Sequence, residues 1–357
     1  MKGIILHGGH GTRLRPLTHT GPKQLLPIAN KAMSQYALED LKTAGITEIG
    51  IIIGDIYPEK VKKYYGSGEK FGVKITYIYQ GEPKGISHAI RLCKDFIGNE
   101  KFIVYLGDNV LRKDLTDYTE KFTSSDSDAM ILLCAVDDPH RFGVAELDKN
   151  NPVKIKKIVE KPKDPPSNLA VIGIYFITPK IFEIIDNLKP SWRGELEITD
   201  ALDLLMNQGN KIEYDIVTGW WKDTGTPEDI IHANKLVLDS IGTENQFLID
   251  TDSKIQDNIV VGKNTEISRD SHISGPVIIG KNCKIGPAVR IGKYVSIGDN
   301  CIIKNCNIEN SIIMSDCKIN SRLDLQSSII SHGSEIEDND TPKKYEFLLG
   351  ERSHLKI

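Results

Sequence analysis

Three glycines within four positions, Gly8, Gly9 and Gly11, are followed at once by Thr12 and Arg13, and Lys23 comes ten residues later between Pro22 and Gln24. Glycines let a backbone turn sharply and bring its N–H groups against a ligand with no side chain in the way. Successive N–H groups in such a turn form a concave anion site, to which Thr12 adds a hydroxyl and Arg13 a permanent, fork-shaped cation. Further along, Asp108 closes the apolar run Phe102-Ile103-Val104-Tyr105-Leu106, and Asp223 lies in Trp220-Trp221-Lys222-Asp223-Thr224-Gly225-Thr226. A carboxylate at the end of a strand suits a Mg²⁺ ion that keeps several waters and bridges phosphate oxygens. Cations on a glycine loop predict a nucleoside triphosphate site.

Two familiar phosphate loops are excluded by spacing. A Walker A loop needs G-x-x-x-x-G-K-[ST], which does not occur, and a dinucleotide fingerprint starting at Gly9-His10-Gly11 would find Leu14 where its third glycine belongs. The formal net charge of −4 leaves no basic footprint for nucleic acid, so local cations must hold an anionic substrate. No apolar run approaches the roughly 20 residues that cross a bilayer, and Met1-Lys2-Gly3 leads straight into a strand rather than a signal-like region. A cytoplasmic enzyme with no membrane or nucleic-acid partner is the expectation.

The loop is only the first of six ordered blocks. Gly8-Gly9-His10-Gly11-Thr12-Arg13-Leu14-Arg15-Pro16-Leu17-Thr18 and Pro22-Lys23-Gln24-Leu25-Leu26-Pro27 are followed by Gln80–Gly85, Leu106–Asn109, Arg141–Glu146, Glu160–Pro162 and Trp221–Thr226. In this order they resemble the sugar-1-phosphate nucleotidylyltransferases, whose motif is G-G-x-G-T-R-L-x-P-L-T and then P-K-x-L-L-P. Over roughly residues 1–240 the chain is most similar to the glucose-1-phosphate thymidylyltransferase branch, in its long form with a C-terminal extension.

The resemblance implies displacement at the α-phosphorus of a nucleoside triphosphate by a sugar 1-phosphate oxygen, with pyrophosphate leaving. A phosphate oxygen is already a nucleophile, so such a site needs alignment and charge neutralisation rather than a general base. By resemblance, Arg13, Lys23 and Asp108 are catalytic. Leu6, Gly8, Gly9, Gly11, Thr12, Gln80, Gly85 and Asn109 join them around the nucleotide, and Asp108 and Asp223 hold Mg²⁺. Gly143, Glu160, Lys161, Val171 and Trp221 form the sugar-phosphate site. Gln80 offers donor and acceptor together, which matches a pyrimidine imide edge, so dTTP or UTP with glucose 1-phosphate are the implied substrates. Thr199 and Asp200, in the matching segment Arg193–Asp200, read mainly as helix-start residues. His7 and His10 stand where the family usually has small residues. Each ring either lies near the nucleotide or points away from it.

The elements that must position these residues fall into two regions. In residues 1–240, strand-like runs at Ile4–Leu6, Ile49–Ile53, Lys74–Tyr79, Phe102–Leu106, Ala129–Val136, Val171–Ile177 and Lys211–Ile216 alternate with helical stretches at Ser34–Ala44, Glu59–Tyr65, Ser87–Phe96 and Ile198–Gln208. That pattern predicts an α/β fold: a mostly parallel, Rossmann-like sheet with helices on both faces and ligands at the carboxyl ends of its strands.

In residues 241–357 the period changes. Ile249, Ile255, Val261, Ile267, Ile273, Ile279, Ile285, Ile291, Ile297 and Ile303 recur every sixth residue, with mostly small residues four positions after each. This is the hexapeptide repeat of a parallel β-helix, expected to be left-handed. The period slips to five at Ile308 and Ile313, where a bulge or loop is expected. Cys283 and Cys301 should stack on neighbouring coils. A disulfide is compatible with that spacing, and a small-residue core slot is the preferred reading. Hexapeptide helices also occur in acyltransferases, so acetyl transfer is a competing activity, although His272 and His332 sit in no acyltransferase motif. A structural module that assembles a homo-oligomer is the expectation.

Overall fold

The computed structural model describes residues 1–151, 154–241, 254–256 and 258–337. They form two compact units, one drawn from Met1–His10, Thr20–Leu25 and Met33–Asp223, the other from Gly11–His19, Leu26–Ala32 and the described residues after Asp223.

The strands in chain order are β1 (Lys2–His7), β2 (Pro27–Ile28), β3 (Lys31–Ala32), β4 (Glu48–Gly54), β5 (Lys74–Gly81), β6 (Phe102–Leu106), β7 (Asn109–Leu111), β8 (Ala129–Ala135), β9 (Gly143–Leu147), β10 (Ile155–Glu160), β11 (Leu169–Ile177), β12 (Ile212–Ile216) and β13 (Trp221–Asp223). The helices are α1 (Met33–Thr43), α2 (Pro58–Tyr65), α3 (Ile86–Arg91), α4 (Lys94–Ile97), α5 (Thr116–Ser124), α6 (Ile181–Asp186), α7 (Ile198–Asn207) and α8 (Pro227–Ser240). The helix expected over Ser87–Phe96 is thus two short ones, α3 and α4.

The first unit is built on a nine-stranded sheet in the order β10-β9-β11-β6-β1-β4-β5, with β8 paired to β11 and β12 to β8. Strands β6, β1, β4 and β5 run parallel, as expected of the sheet as a whole. Around β11 the pairing turns antiparallel, β11 against β6, β8 and β9, and β10 against β9, while β12 at the edge runs parallel to β8. The sheet is therefore mixed. Strands β9 and β10 are separated only by a short connection, too short for the crossover a parallel pair requires.

Two cores flank this sheet because side chains alternate between its faces. Ile4, Val104, Ile131 and Val171 pack with Ile90, Ile185 and Leu202 on one face. Ile5, Ile51, Tyr105 and Ile174 pack with Leu38, Val61 and Phe122 on the other.

In the second unit, fifteen strands, from β14 (Lys254–Gln256) to β28 (Glu335–Glu337), form three five-stranded parallel sheets, the three sides of a β-helix. The inward aliphatics form a single core from Ile259 to Ile319, and Cys283, Val289, Val295, Cys301 and Cys317 fill the small slots. All six cysteines are free thiols. Cys283 Sγ donates to the Gly298 carbonyl at 3.1 Å and Cys301 Sγ to that of Met314 at 3.2 Å, each on the next coil. The small-slot reading holds. Ile249 and Ser253 lie outside the described residues.

The five-residue steps produce no bulge. Ile273 pairs with Ile291, 18 positions on, whereas Ile297 pairs with Ile313, 16 positions on, and the ladders stay in register. The missing residues come off the corners. Many hexad corners turn through a residue at positive φ, often asparagine as at Asn282 (57°) and Asn300 (59°) but also Ala288 (53°) and Tyr294 (64°), and the shortened corners keep such a residue, Asn305 (54°) and Asn310 (46°). Asparagine tolerates the left-handed conformation, and these corner amides stack: Asn264 bonds Asn282 at 3.2 Å and Asn282 bonds Asn300 at 3.1 Å.

The β-helix is bonded to the rest of its unit through Asn234 of α8, which is 1% exposed. Its Oδ1 accepts from the Ala29 N–H, in the turn between β2 and β3, and from Ser296 Oγ, both at 2.8 Å. Its Nδ2 donates to the Tyr294 carbonyl at 3.2 Å, and Asn30 Nδ2 reaches the Ile297 carbonyl at 2.5 Å. The β2–β3 hairpin and α8 therefore group with the β-helix, and a cut after residue 240 would strip these bonds. Asn234→Ala should cost on the order of 2–4 kcal/mol, since it leaves buried partners unsatisfied. Urea unfolding followed by circular dichroism measures this, and a change within 0.5 kcal/mol, roughly that of an ordinary surface site, would show the junction to be dispensable.

Candidate active site

The candidate nucleotide residues of the first unit gather at the carboxyl ends of β1, β5 and β6. Strand β1 lies between β4 and β6, and Leu6 near its end accepts a 3.0 Å bond from the Gly107 N–H. Gly8 sits so close to Gln80 that a Cβ there would lie 2.8 Å from Gln80 Oε1. Gly9 takes φ 92°, where L side chains are strained. Gln24 is 1% exposed and donates its amide to the Gly8 carbonyl at 2.9 Å, while Ser34 Oγ bonds the Gln24 carbonyl at 3.0 Å. The glycine turn and the Lys23 segment are thus joined below the site.

Asp108 follows β6 and forms an ion pair with Lys23 Nζ through Oδ2. Its Oδ1 accepts from Asn109 Nδ2 at 3.0 Å. Burial raises this carboxyl, but the Lys23 cation and the Asn109 amide outweigh burial and hold it below the ordinary carboxylate range. Asn109, 2% exposed, also accepts from Trp221 Nε1 at 2.7 Å and from the Gly173 N–H of β11 at 3.2 Å. It pairs in register with Asp223 across the two-stranded β7–β13 sheet, so along the backbone Asp223 lies opposite the residue that follows Asp108. Arg141 Nη2 stands 3.8 Å from Asp223.

Among the described residues no three His, Cys, Asp or Glu side chains gather into a metal cage. Two hard carboxylates fit Mg²⁺ nonetheless, because this ion characteristically takes one or two protein carboxylates and completes its shell with water and substrate phosphate.

Gly11, Thr12 and Arg13 continue the loop within the second compact unit. Gly11 is left-handed at φ 59° and leads into a 3-10 turn over Thr12–Leu14 that buries Leu14 and leaves Thr12 and Arg13 exposed. Thr18 Oγ1 secures the turn at the Gly11 carbonyl, 2.8 Å away.

The sugar-phosphate candidates centre on the β9–β10 pair. Gly143 pairs with Glu160, and a Cβ on Gly143 would meet Thr199 Cγ2 at 2.5 Å. Thr199 does more than open α7, since its hydroxyl donates to Glu160 Oε2 at 3.0 Å. Lys161, at φ 40°, places Nζ 3.7 Å from Glu160 Oε1. Val171 is buried in β11. Trp221 meets Phe142 edge to face at 5.2 Å.

Arg193 was not singled out as a functional residue by the sequence, yet its guanidinium lies 3.5 Å from Glu160 and 3.2 Å from the buried Glu197. Its signal was the Arg193–Asp200 match, whose charge is interpretable only once Glu160 is seen beside it. Burial, reinforced by Glu160, raises the Glu197 carboxyl.

The two histidines differ. His7 is fully buried, edge to face with Tyr65 at 5.9 Å, and neither ring nitrogen has a hydrogen-bond partner in the protein. Burial pushes its pKa down to about 3 against an opposing pull from Asp108, so it is neutral. His10 is half-exposed, with Nε2 3.4 Å from Asp55.

The chain belongs to the nucleotidyl transferase family, which matches residues 2–240, and is an enzyme of that class. Residues 273–352 match the GMPPB C-terminal domain. The chain is 46% identical over its whole length, and the whole of the relative's, to the low-salt glycan biosynthesis nucleotidyltransferase Agl11 of Haloferax volcanii. It is 39% identical to a glucose-1-phosphate thymidylyltransferase of Streptomyces antibioticus, over 100% of this chain and 99% of that one. A solved glucose-1-phosphate thymidylyltransferase structure from Bacillus anthracis, in complex with sucrose, superposes with a TM-score of 0.63 at 46% identity, covering 66% of this chain and 94% of that one.

The buried imidazole predicts an acid-sensitive fold. Below the ordinary value of 6.5 the unfolded chain gains a proton that folded His7 refuses down to about pH 3, so stability falls as pH drops through that window. The loss attributable to His7 should be about 1.4 kcal/mol at pH 5.5 relative to pH 7.5. Urea titrations at both values should show the pH-dependent loss shrinking by that amount in His7→Asn. An unchanged loss would place the sensitivity elsewhere.

Proposed function

We propose that this chain transfers a thymidylyl group from dTTP to glucose 1-phosphate, forming dTDP-glucose. An oxygen of the sugar phosphate attacks the α-phosphorus, the bond from that phosphorus to the bridging oxygen breaks, and pyrophosphate leaves with the electron pair. The observation that carries this reading is the meeting of Lys23, Asp108, Gly8 and Gln80 at the carboxyl ends of the parallel strands, on the same sheet that carries Glu160 at the end of β10. The full-length likeness to a thymidylyltransferase supports it.

Gln80 reads the pyrimidine imide edge, Gly85 and Asn109 shape the nucleotide site, and Arg13 with Lys23 neutralises the phosphates. Glu160 and Arg193 orient the sugar, Lys161 takes its phosphate, and Gly143, Val171 and Trp221 line the pocket. Asp108 and Asp223 would hold Mg²⁺, which supplies charge neutralisation at the phosphate oxygens.

Residues 1–240 form the catalytic domain in this reading. Residues 241–357 form a structural domain whose flat sides assemble a homo-oligomer. We infer a cytoplasmic location from the sequence; in the described residues no helix is long and apolar enough to cross a membrane.

A nucleotide panel with pyrophosphate detection tests the substrate assignment. dTTP with glucose 1-phosphate should react, UTP should react comparably or more slowly, and ATP and GTP poorly. Equal turnover of the purine nucleotides would remove the role given to Gln80, and a strong UTP preference would make the enzyme a uridylyltransferase. Acetyl transfer from acetyl-CoA to an amino sugar phosphate would give the β-helix an activity of its own.

Asp223→Asn and Asp108→Asn should each lower kcat by about 10²–10³, or roughly 3–4 kcal/mol of transition-state stabilisation. Asp223→Asn is the cleaner variant, because Asp108→Asn also removes the carboxylate paired with Lys23 and so costs stability. Near-normal turnover of Asp223→Asn at low Mg²⁺ would show that it is not a ligand.

A further inference from the structure

The base-reading segment ends at Gly85, and the backbone that crowds this glycine belongs to the protein itself. A Cβ on Gly85 would lie 2.4 Å from the Leu196 carbonyl oxygen and 2.6 Å from its nitrogen, and the glycine sits at φ 100°. Leu196 is held there from both sides. Its N–H donates to the Lys84 carbonyl at 2.8 Å, and its carbonyl accepts from the Ser87 N–H at 3.0 Å. Ser87, 0% exposed, donates its hydroxyl to the next carbonyl, that of Glu197, at 3.0 Å.

Beyond this strap, the Glu197 carboxylate accepts from Ser191 Oγ at 3.0 Å and from Arg193 Nη1 at 3.2 Å. The same guanidinium nitrogen stands 3.5 Å from Glu160. A continuous chain of bonds thus runs from the segment after Gln80 to the carboxylate proposed to hold the sugar. Its last two links, Arg193 with Glu197 and with Glu160, are part-buried ion pairs. Three are backbone-anchored, and Ser87 and Glu197 are buried.

We propose that Ser87 is a positioning residue that couples the two substrate subsites: ordering of the Gln80–Gly85 segment by a pyrimidine nucleotide is transmitted through Leu196 and Glu197 to Arg193 and Glu160. This rests on the substrate reading above. Coupling of this kind is reciprocal, so each ligand tightens the binding of the other by the same factor. A strap that loses one buried hydrogen bond keeps its fold and transmits less.

The test is isothermal titration of the full-length enzyme with glucose 1-phosphate, alone and with the unreactive α,β-methylene analogue of dTTP. The wild type should bind the sugar phosphate at least 5-fold more tightly when the analogue is bound. In Ser87→Ala that factor should fall below 2, with affinity for the analogue alone changed less than 2-fold and the melting temperature within a few degrees. Ser87→Thr, which keeps the hydroxyl, should retain the coupling. If Ser87→Ala fails to fold, near-isosteric Ser87→Cys takes its place with the same expected loss. Equal factors in wild type and variant, or no coupling in the wild type, would overturn the proposal. A wild type that binds neither ligand would instead overturn the substrate assignment.

Discussion

A carboxylate that must stay ionised in a buried site needs a cation beside it, and the Lys23–Asp108 pair meets that need at the centre of this enzyme. Desolvation alone would drive Asp108 toward its neutral form, and the Lys23 ammonium reverses the outcome. The pair spans 85 positions of sequence, so the strand ending at Leu106 and the turn after Pro22 must both be in place before it exists. Around it the same logic recurs in neutral form. Asn109 divides its amide between Asp108, Trp221 and the backbone of β11, and Gln24 ties the glycine turn to α1 through Ser34. In the proposed function, an anionic substrate enters a site whose polar groups are already oriented, which is the condition for electrostatic catalysis without reorganisation.

The β-helix solves a different problem with far fewer long-range decisions. Each side repeats the same instruction, an aliphatic inward and a small residue in the slot, with a left-handed residue, often asparagine, at many corners, and stacking supplies the partner for each. Even the two shortened sides obey it, because the corner asparagine survives the deletion and the strand ladders never lose register. The thiols of Cys283 and Cys301 donate to carbonyls one coil away, so the slots that hold them are filled and hydrogen-bonded. Asn234 joins this regular column to α8 and to the β2–β3 hairpin. The same hairpin begins two residues after Leu25, at the end of the segment that bears Lys23.

What the sequence determined by itself is what short-range pattern can encode. The glycine turn after β1, the strand that ends before Asp108, the hexad column and its cysteine slots all follow from periodicity and from residue types a few positions apart. The mixed half of the sheet, the pairing of Lys23 with Asp108, the Thr199 hydroxyl and Arg193 guanidinium on Glu160, and the burial of His7 were decided only in three dimensions. Each depends on which distant segments become neighbours, and a local pattern carries no record of that. Gly85 shows the difference most plainly. By resemblance it belonged beside the nucleotide, but the backbone that approaches it is that of Leu196, more than a hundred residues away, and only the tertiary structure brings that backbone within reach.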